Sequence, residues 1–95
     1  VIRRVDFSAN KKKVVKDISL PLGWEISLFE PEKINGVMFI EGCVTDGFFL
    51  EYPTWRYDIS VYDVRWKNPH IVPWKVRSAF VNACRELYEE SEDKE

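Results

Sequence analysis

Up to Lys67 the chain alternates short apolar runs with polar or turn-forming breaks; from Pro73 onward the apolar period lengthens from two to about 3.6 residues. Val1 to Ser8 alternates loosely and predicts a strand. Ala9 to Lys13 predicts a turn, with the lysine triplet as a solvated hairpin tip. Val14 to Leu20 predicts a second strand. Pro21-Leu22-Gly23 interrupts it, because proline cannot donate to a ladder and glycine permits a tight bend. Trp24 to Phe29 predicts a third strand or a continuation of the second. Pro31-Glu32-Lys33 reads as a loop, and Ile34-Asn35-Gly36 belongs either to that loop or to the next strand. Val37 to Glu41 alternates as a strand. Gly42 to Asp46 is expected to turn the chain, with Asp46-Gly47 as a hairpin signal. Phe48 to Tyr52 predicts the next strand, and Pro53 stops it. Arg56 to Lys67 reads as one longer strand.

Trp74, Arg77, Phe80, Val81, Cys84, Leu87 and Tyr88 fall at helical spacing, and all but Arg77 are apolar. Pro73 suits the first turn, where its missing N–H costs nothing. The helix is expected to run to about Glu89. Glu86, Glu89 and Glu90 oppose the macrodipole in its last turn. Residues 1–90 thus read as a single domain and residues 91–95 as an acidic flexible tail. The expected fold class is α+β: a bent antiparallel β-sheet, a meander of about five strands, with one C-terminal α-helix on one face. The other face, or a strand edge, then needs cover, which a second copy would supply.

Composition adds a size limit. Ninety-five residues make one domain with one modest core, burying roughly 60–65% of the surface of the unfolded chain. Six Phe, four Tyr and four Trp are generous for that core. Some are expected half-exposed at an interface. Val1 stands in place of an initiator methionine, so the chain is expected to be trimmed, processed or partial. Cys43 and Cys84 have no metal-ligand spacing and read as buried reduced thiols, which fits a cytoplasmic location. No stretch predicts a membrane span or a signal peptide.

The net charge of −2 hides blocks of opposite sign. Residues 1–16 carry six cations against Asp6, and residues 54–85 carry six against Asp58 and Asp63. Between them, residues 17–53 carry seven acids against Lys33, and residues 86–95 carry six against Lys94. In the second basic block, Trp55-Arg56-Tyr57 and Arg65-Trp66-Lys67 each set cations beside aromatics. Aromatic faces stack bases and cations neutralise phosphates, as single-strand binders require. The plain structural alternative puts Tyr57 in the core, Trp55 or Trp66 at a dimer contact and the cations in a merely solvated strand. Lys75 and Arg77 lie near a helix N-terminus, where a cation is unfavourable unless an anion compensates it.

Catalytic chemistry finds little support. His70 is the only histidine, and no nucleophile or acid stands at a motif spacing from it. Gly36, Gly42 and Gly47 form no phosphate loop and read as hairpin spacers. The expectation is a non-enzyme with no cofactor, no metal, no small-molecule substrate and no membrane. Its partners would be DNA or RNA, met through Arg56, Arg65, Lys67, Lys75 and Arg77, with Trp55 or Trp66 stacking. The alternative is a protein–protein interaction module with aromatic anchors on the same fold.

The chain resembles the SpoVG family (stage V sporulation protein G, also called septation protein). The resemblance rests on Val1-Ile2-Arg3-Arg4-Val5, Glu41-Gly42, and Gly47-Phe48-Phe49-Leu50-Glu51-Tyr52-Pro53-Thr54-Trp55-Arg56. It continues through Asp63-Val64, Pro69, Arg77 and Ala83 to Tyr88. It implies a small cytoplasmic homodimer with a long bent antiparallel sheet and a C-terminal helix. It also implies a DNA- and RNA-binding regulator linked to septation and sporulation. The family's basic pair after the proline maps onto Trp55 and Arg56, so an aromatic replaces one cation.

Overall fold

The computed structural model describes residues 13–58 and 61–93. The strand expected over Val1 to Ser8, the turn up to Lys12, and Ile59 and Ser60 lie outside the described residues. Within them the chain forms β1 (Val14–Ser19), β2 (Glu25–Phe29), β3 (Glu32–Ile34), β4 (Val37–Thr45), β5 (Leu50–Glu51), β6 (Thr54–Asp58), β7 (Val61–Arg65) and α1 (Trp74–Asp93). All strand pairs are antiparallel, in the order β1-β2-β4-β6-β7, with β3 and β5 also paired to β4. The class is the expected α+β sheet with one C-terminal helix.

Strand β4 is the axis of the sheet. β2 and β3 share one of its edges, while β5 and β6 share the other. Val44 faces Glu51 and Glu41 faces Thr54, so Tyr52 and Pro53 interrupt the ladder without shifting its register. On the opposite edge Leu28 faces Gly42 but Glu32 faces Phe39, one residue out of step. That extra residue is a bulge around Pro31, which has no N–H to give the ladder. Among the described residues the result is a meander of five strand lines, two of them broken in half.

Several boundaries differ from the sequence expectation. Glu32 to Ile34 is strand, not loop, because Asn35-Gly36 closes a two-residue hairpin with both φ positive (52° and 83°). Asparagine and glycine tolerate that conformation better than other residues. Gly42 does not turn the chain; β4 continues to Thr45, and the reversal comes at Asp46 to Phe49. The Asp46 carboxylate accepts the Phe48 and Phe49 N–H groups there. Strand pairing after that turn covers Leu50–Glu51 alone rather than Phe48 to Tyr52. Arg56 to Lys67 is a hairpin rather than one strand, since Asp58 pairs with Val61. No glycine or proline marks that reversal, so the stretch reads as one strand. The helix runs to Asp93 rather than about Glu89. No glycine or proline follows Pro73, and glutamate loses little rotamer freedom in a helix.

The helix lies on one face of the sheet. Ile26 and Leu28 of β2, Met38, Ile40 and Val44 of β4, and Trp55 of β6 meet Val76, Phe80, Ala83 and Cys84 of α1. Trp55 stacks on Tyr57 with ring centroids 6.1 Å apart and planes 7° from parallel, and Tyr88 packs on both. Burial pushes the Cys84 thiol well above its ordinary pKa, so no reactive thiolate forms at neutral pH. Lys16 pairs with Glu86 at 3.4 Å across the sheet–helix seam, partly exposed and worth little.

Gly42 is the gap in the inner row of β4. A Cβ there would lie 2.7 Å from Cε1 of Phe80 and 2.7 Å from the Ser27 carbonyl oxygen. Phe80 fills the missing volume, and the neighbouring strand's backbone leaves no room to retreat. Gly42→Ala is expected to destabilise the fold by about 1–3 kcal/mol, the usual cost of overpacking. The midpoint of urea unfolding checks this; an unchanged midpoint would show that the helix reseats freely.

Candidate nucleic-acid interface

The sheet face away from the helix carries the strongest grouping of expected site residues. Trp55 and Tyr57 point toward α1, so period-two alternation sends Thr54 and Arg56 of β6 to the outer face. Asp63 faces Arg56 across the β6–β7 ladder and Arg65 faces Thr54. On the other side of β6, Phe39 of β4 stands opposite Arg56. These five residues line a shallow depression of about 280 Å³. Arg56 approaches Asp63 at 3.8 Å, both about half-exposed, so the guanidinium has an acid neighbour but remains open to solvent. An anion entering the depression would meet two guanidinium groups and compete with one carboxylate for Arg56.

The other expected residues go elsewhere. Trp55 is fully buried and cannot stack on a base while the core is intact. Trp66 is half-buried and meets Phe80 edge-on, with ring centroids 5.4 Å apart. Trp55 sits beside Arg56, and Trp66 between Arg65 and Lys67; the same alternation that exposes those cations buries the indoles. Phe39, which lines the depression with Arg56 and Arg65, takes their place as an aromatic on the outer face. Sequence alternation held the signal, since Phe39 lies between the inward-facing Met38 and Ile40.

Lys67 is exposed just past the end of β7. Its segment is held by Glu51, a carboxylate only 4% exposed. Glu51 Oε2 accepts the Lys67 N–H at 2.5 Å, and Oε1 accepts the Asn68 N–H at 3.2 Å. Two consecutive amides bound to one carboxylate fix where the chain leaves the sheet for the helix. Sequence reasoning passed over Glu51; its signal was an acid inside the apolar run Phe48 to Tyr52.

Lys75 and Arg77 stand in the first turn of α1, in the helix layer rather than on the outer sheet face. Arg77 Nε donates to the Val72 carbonyl at 3.2 Å, closing the turn that leads into the helix. Lys75 is exposed, and no acid occupies the first helical turn. The five expected cations are therefore divided between the outer face (Arg56, Arg65), the connecting loop (Lys67) and the helix start (Lys75, Arg77).

Among the described residues no helix is long and apolar enough to cross a membrane, and no three His, Cys, Asp or Glu side chains gather into a metal-sized cluster. No family model, curated protein or solved structure matches this chain.

Glu51→Ala would leave two partly buried amides without their acceptor. Its expected cost is about 2–3 kcal/mol, from the desolvation of unsatisfied donors. Equilibrium unfolding measures that cost. Amide exchange would in addition show Lys67 and Asn68 losing protection; retained protection would mean that another acceptor replaces the carboxylate.

Proposed function

We propose that this chain is a non-catalytic, nucleic-acid-binding regulatory protein of the SpoVG type that acts as a homodimer. Its contact surface is the outer sheet face, and its ligand is a flexible stretch of RNA or DNA. The observation that carries this reading is the placement of Arg56 and Arg65 beside Phe39 on three consecutive strand lines, over a depression open to solvent. A sheet face that offers one aromatic ring and two planar cations matches the chemistry of an unpaired strand, whose bases stack and whose phosphates accept paired N–H donors. Lys67 extends the basic edge beyond the end of β7. The role in septation or sporulation rests on the sequence resemblance alone.

A protein–protein module is the second reading, favoured by large apolar side chains exposed at one end of the molecule (Leu22, Phe48, Ile71 and Trp74). Ionic strength separates the two. Phosphate contacts release counterions and weaken steeply with salt, whereas an apolar protein interface responds little.

Fluorescence anisotropy with a labelled single-stranded RNA and a duplex DNA, at about 50 and 200 mM salt, is the deciding measurement. Each phosphate contact on a single strand contributes about 0.7 to the log–log salt slope. Replacing Arg56, Arg65 and Lys67 with alanine is thus expected to reduce that slope by about 2 and to weaken binding to all sequences alike. Phe39→Ala is expected to cost about 1–3 kcal/mol of single-strand affinity with the slope unchanged. Asp63→Asn removes the competing carboxylate and should tighten binding. Absence of binding by the folded wild type at the lower salt, or an unaltered slope in the triple variant, would reject this surface.

A further inference from the structure

One end of the molecule exposes large apolar side chains: Leu22, Phe48, Ile71 and Trp74. Three segments meet there: the β1–β2 turn with its short 3-10 stretch Pro21–Gly23, the β4–β5 turn at Asp46 to Phe49, and the start of α1. A Cβ on Gly23 would stand 4.0 Å from the Asp46 carbonyl oxygen, and Trp24 meets Phe49 edge-on at 6.4 Å. Leu22 is 92% exposed and has a left-handed backbone, φ 67° and ψ 22°. Asparagine or glycine would take that conformation at lower cost. Both the strain and the exposure of Leu22 are unfavourable, and among the described residues neither is offset. Strained, exposed apolar residues concentrate where a partner binds.

This end contains a knob and a hole. Phe48 is the knob, 97% exposed at the apex of its turn. The hole is a groove of about 290 Å³ lined by Leu20, Leu22, Trp24, Pro73, Trp74 and Val76, with Lys75 at its rim. Asp46 lies at the base of the knob. The N–H groups of Phe49 and Phe48 hold its carboxyl below the ordinary carboxylate range, so it is ionised at neutral pH. The acid accompanies the knob and the cation accompanies the hole.

We propose that this end is the homodimer surface: two copies meet about a twofold axis, Phe48 of each entering the groove of the other and Asp46 of each facing Lys75 of the other. An isologous contact requires a patch that carries both halves of its own complement, and here both lie side by side on one chain. With aromatic side chains carrying roughly 150–250 Å² each, Phe48, Trp74, Leu22 and Ile71 together present on the order of 500 Å² of apolar surface. That is more than half of the roughly 800 Å² per partner in a standard interface. The inference rests on the homodimer of the proposed function and names its surface; it does not depend on nucleic-acid binding.

Sedimentation equilibrium from about 1 to 200 μM tests it, with circular dichroism as the control for folding. The wild type is expected to dimerise. Phe48→Ser and Leu22→Asn are each expected to raise the dimer dissociation constant roughly tenfold or more, as loss of a central apolar anchor does. Leu22→Asn relieves the backbone strain, so its protomer remains folded and a loss of dimer is not a loss of fold. Lys75→Glu should also weaken the dimer, whereas Lys33→Glu, on β3 at the other end of β4, should not. A wild-type dimer that persists in Phe48→Ser, Leu22→Asn and Lys75→Glu alike would overturn this surface and leave the homodimer standing. A wild type that stays monomeric across the range would overturn both, and the patch would belong to a different partner.

Discussion

The fold depends on how closely α1 can approach the middle of β4. Every other even position on the inner face of that strand carries a large side chain: Met38, Ile40 and Val44. Gly42 alone opens a recess, and Phe80 occupies it in near contact with the strand backbone. That contact sets the height of the helix above the sheet. It also sets its position along the sheet, with Val76 over the end near Trp24 and Tyr88 over Tyr57. A larger residue at 42 would lift the helix, and the contacts of Tyr88 with Trp55 and Tyr57 and of Phe80 with Trp66 would be lost together. One missing methyl group thereby organises the aromatic half of the core.

Seating the helix on one face divides the chemistry of the chain. Strand alternation sends Trp55, Tyr57 and Val64 toward α1 and Arg56, Asp63 and Arg65 away from it. The basic block seen in the sequence is therefore not one surface. Its strand cations share the outer face with Phe39, while Lys75 and Arg77 begin the helix on the opposite layer. Glu51 joins the two layers by holding the amides of Lys67 and Asn68, so an acid inside an apolar strand has a structural role beside the basic surface.

The two proposed surfaces do not compete. Phe39, Arg56 and Arg65 lie on the sheet face, whereas Leu22, Phe48 and Trp74 lie at the end formed by turns and the helix start. A twofold dimer built at that end would leave both outer sheet faces open. Two basic faces on one particle would then engage a single strand at separated points, which raises avidity without any new contact.

Periods and punctuation determined much of this protein by themselves. Alternation specified strands that bury one side, the change of period after Pro73 specified the helix and its start, and Asp46-Gly47 marked a true turn. Those features are local, because side-chain direction follows from backbone geometry within a few residues. The hairpin between β6 and β7 was not legible, as Tyr57-Asp58-Ile59-Ser60 carries no residue that demands a reversal. Gly42 resembled a spacer because only the distant Phe80 shows why it must be small. Likewise, no local rule separates Trp55 in the core from Trp74 at the surface; both are indoles beside a cation. Which indole is buried, which cations share a face, and which acid becomes a clamp depend on long-range pairing. Those outcomes were decided by the tertiary structure, where residues far apart in the chain compete for the same volume and the same hydrogen bonds.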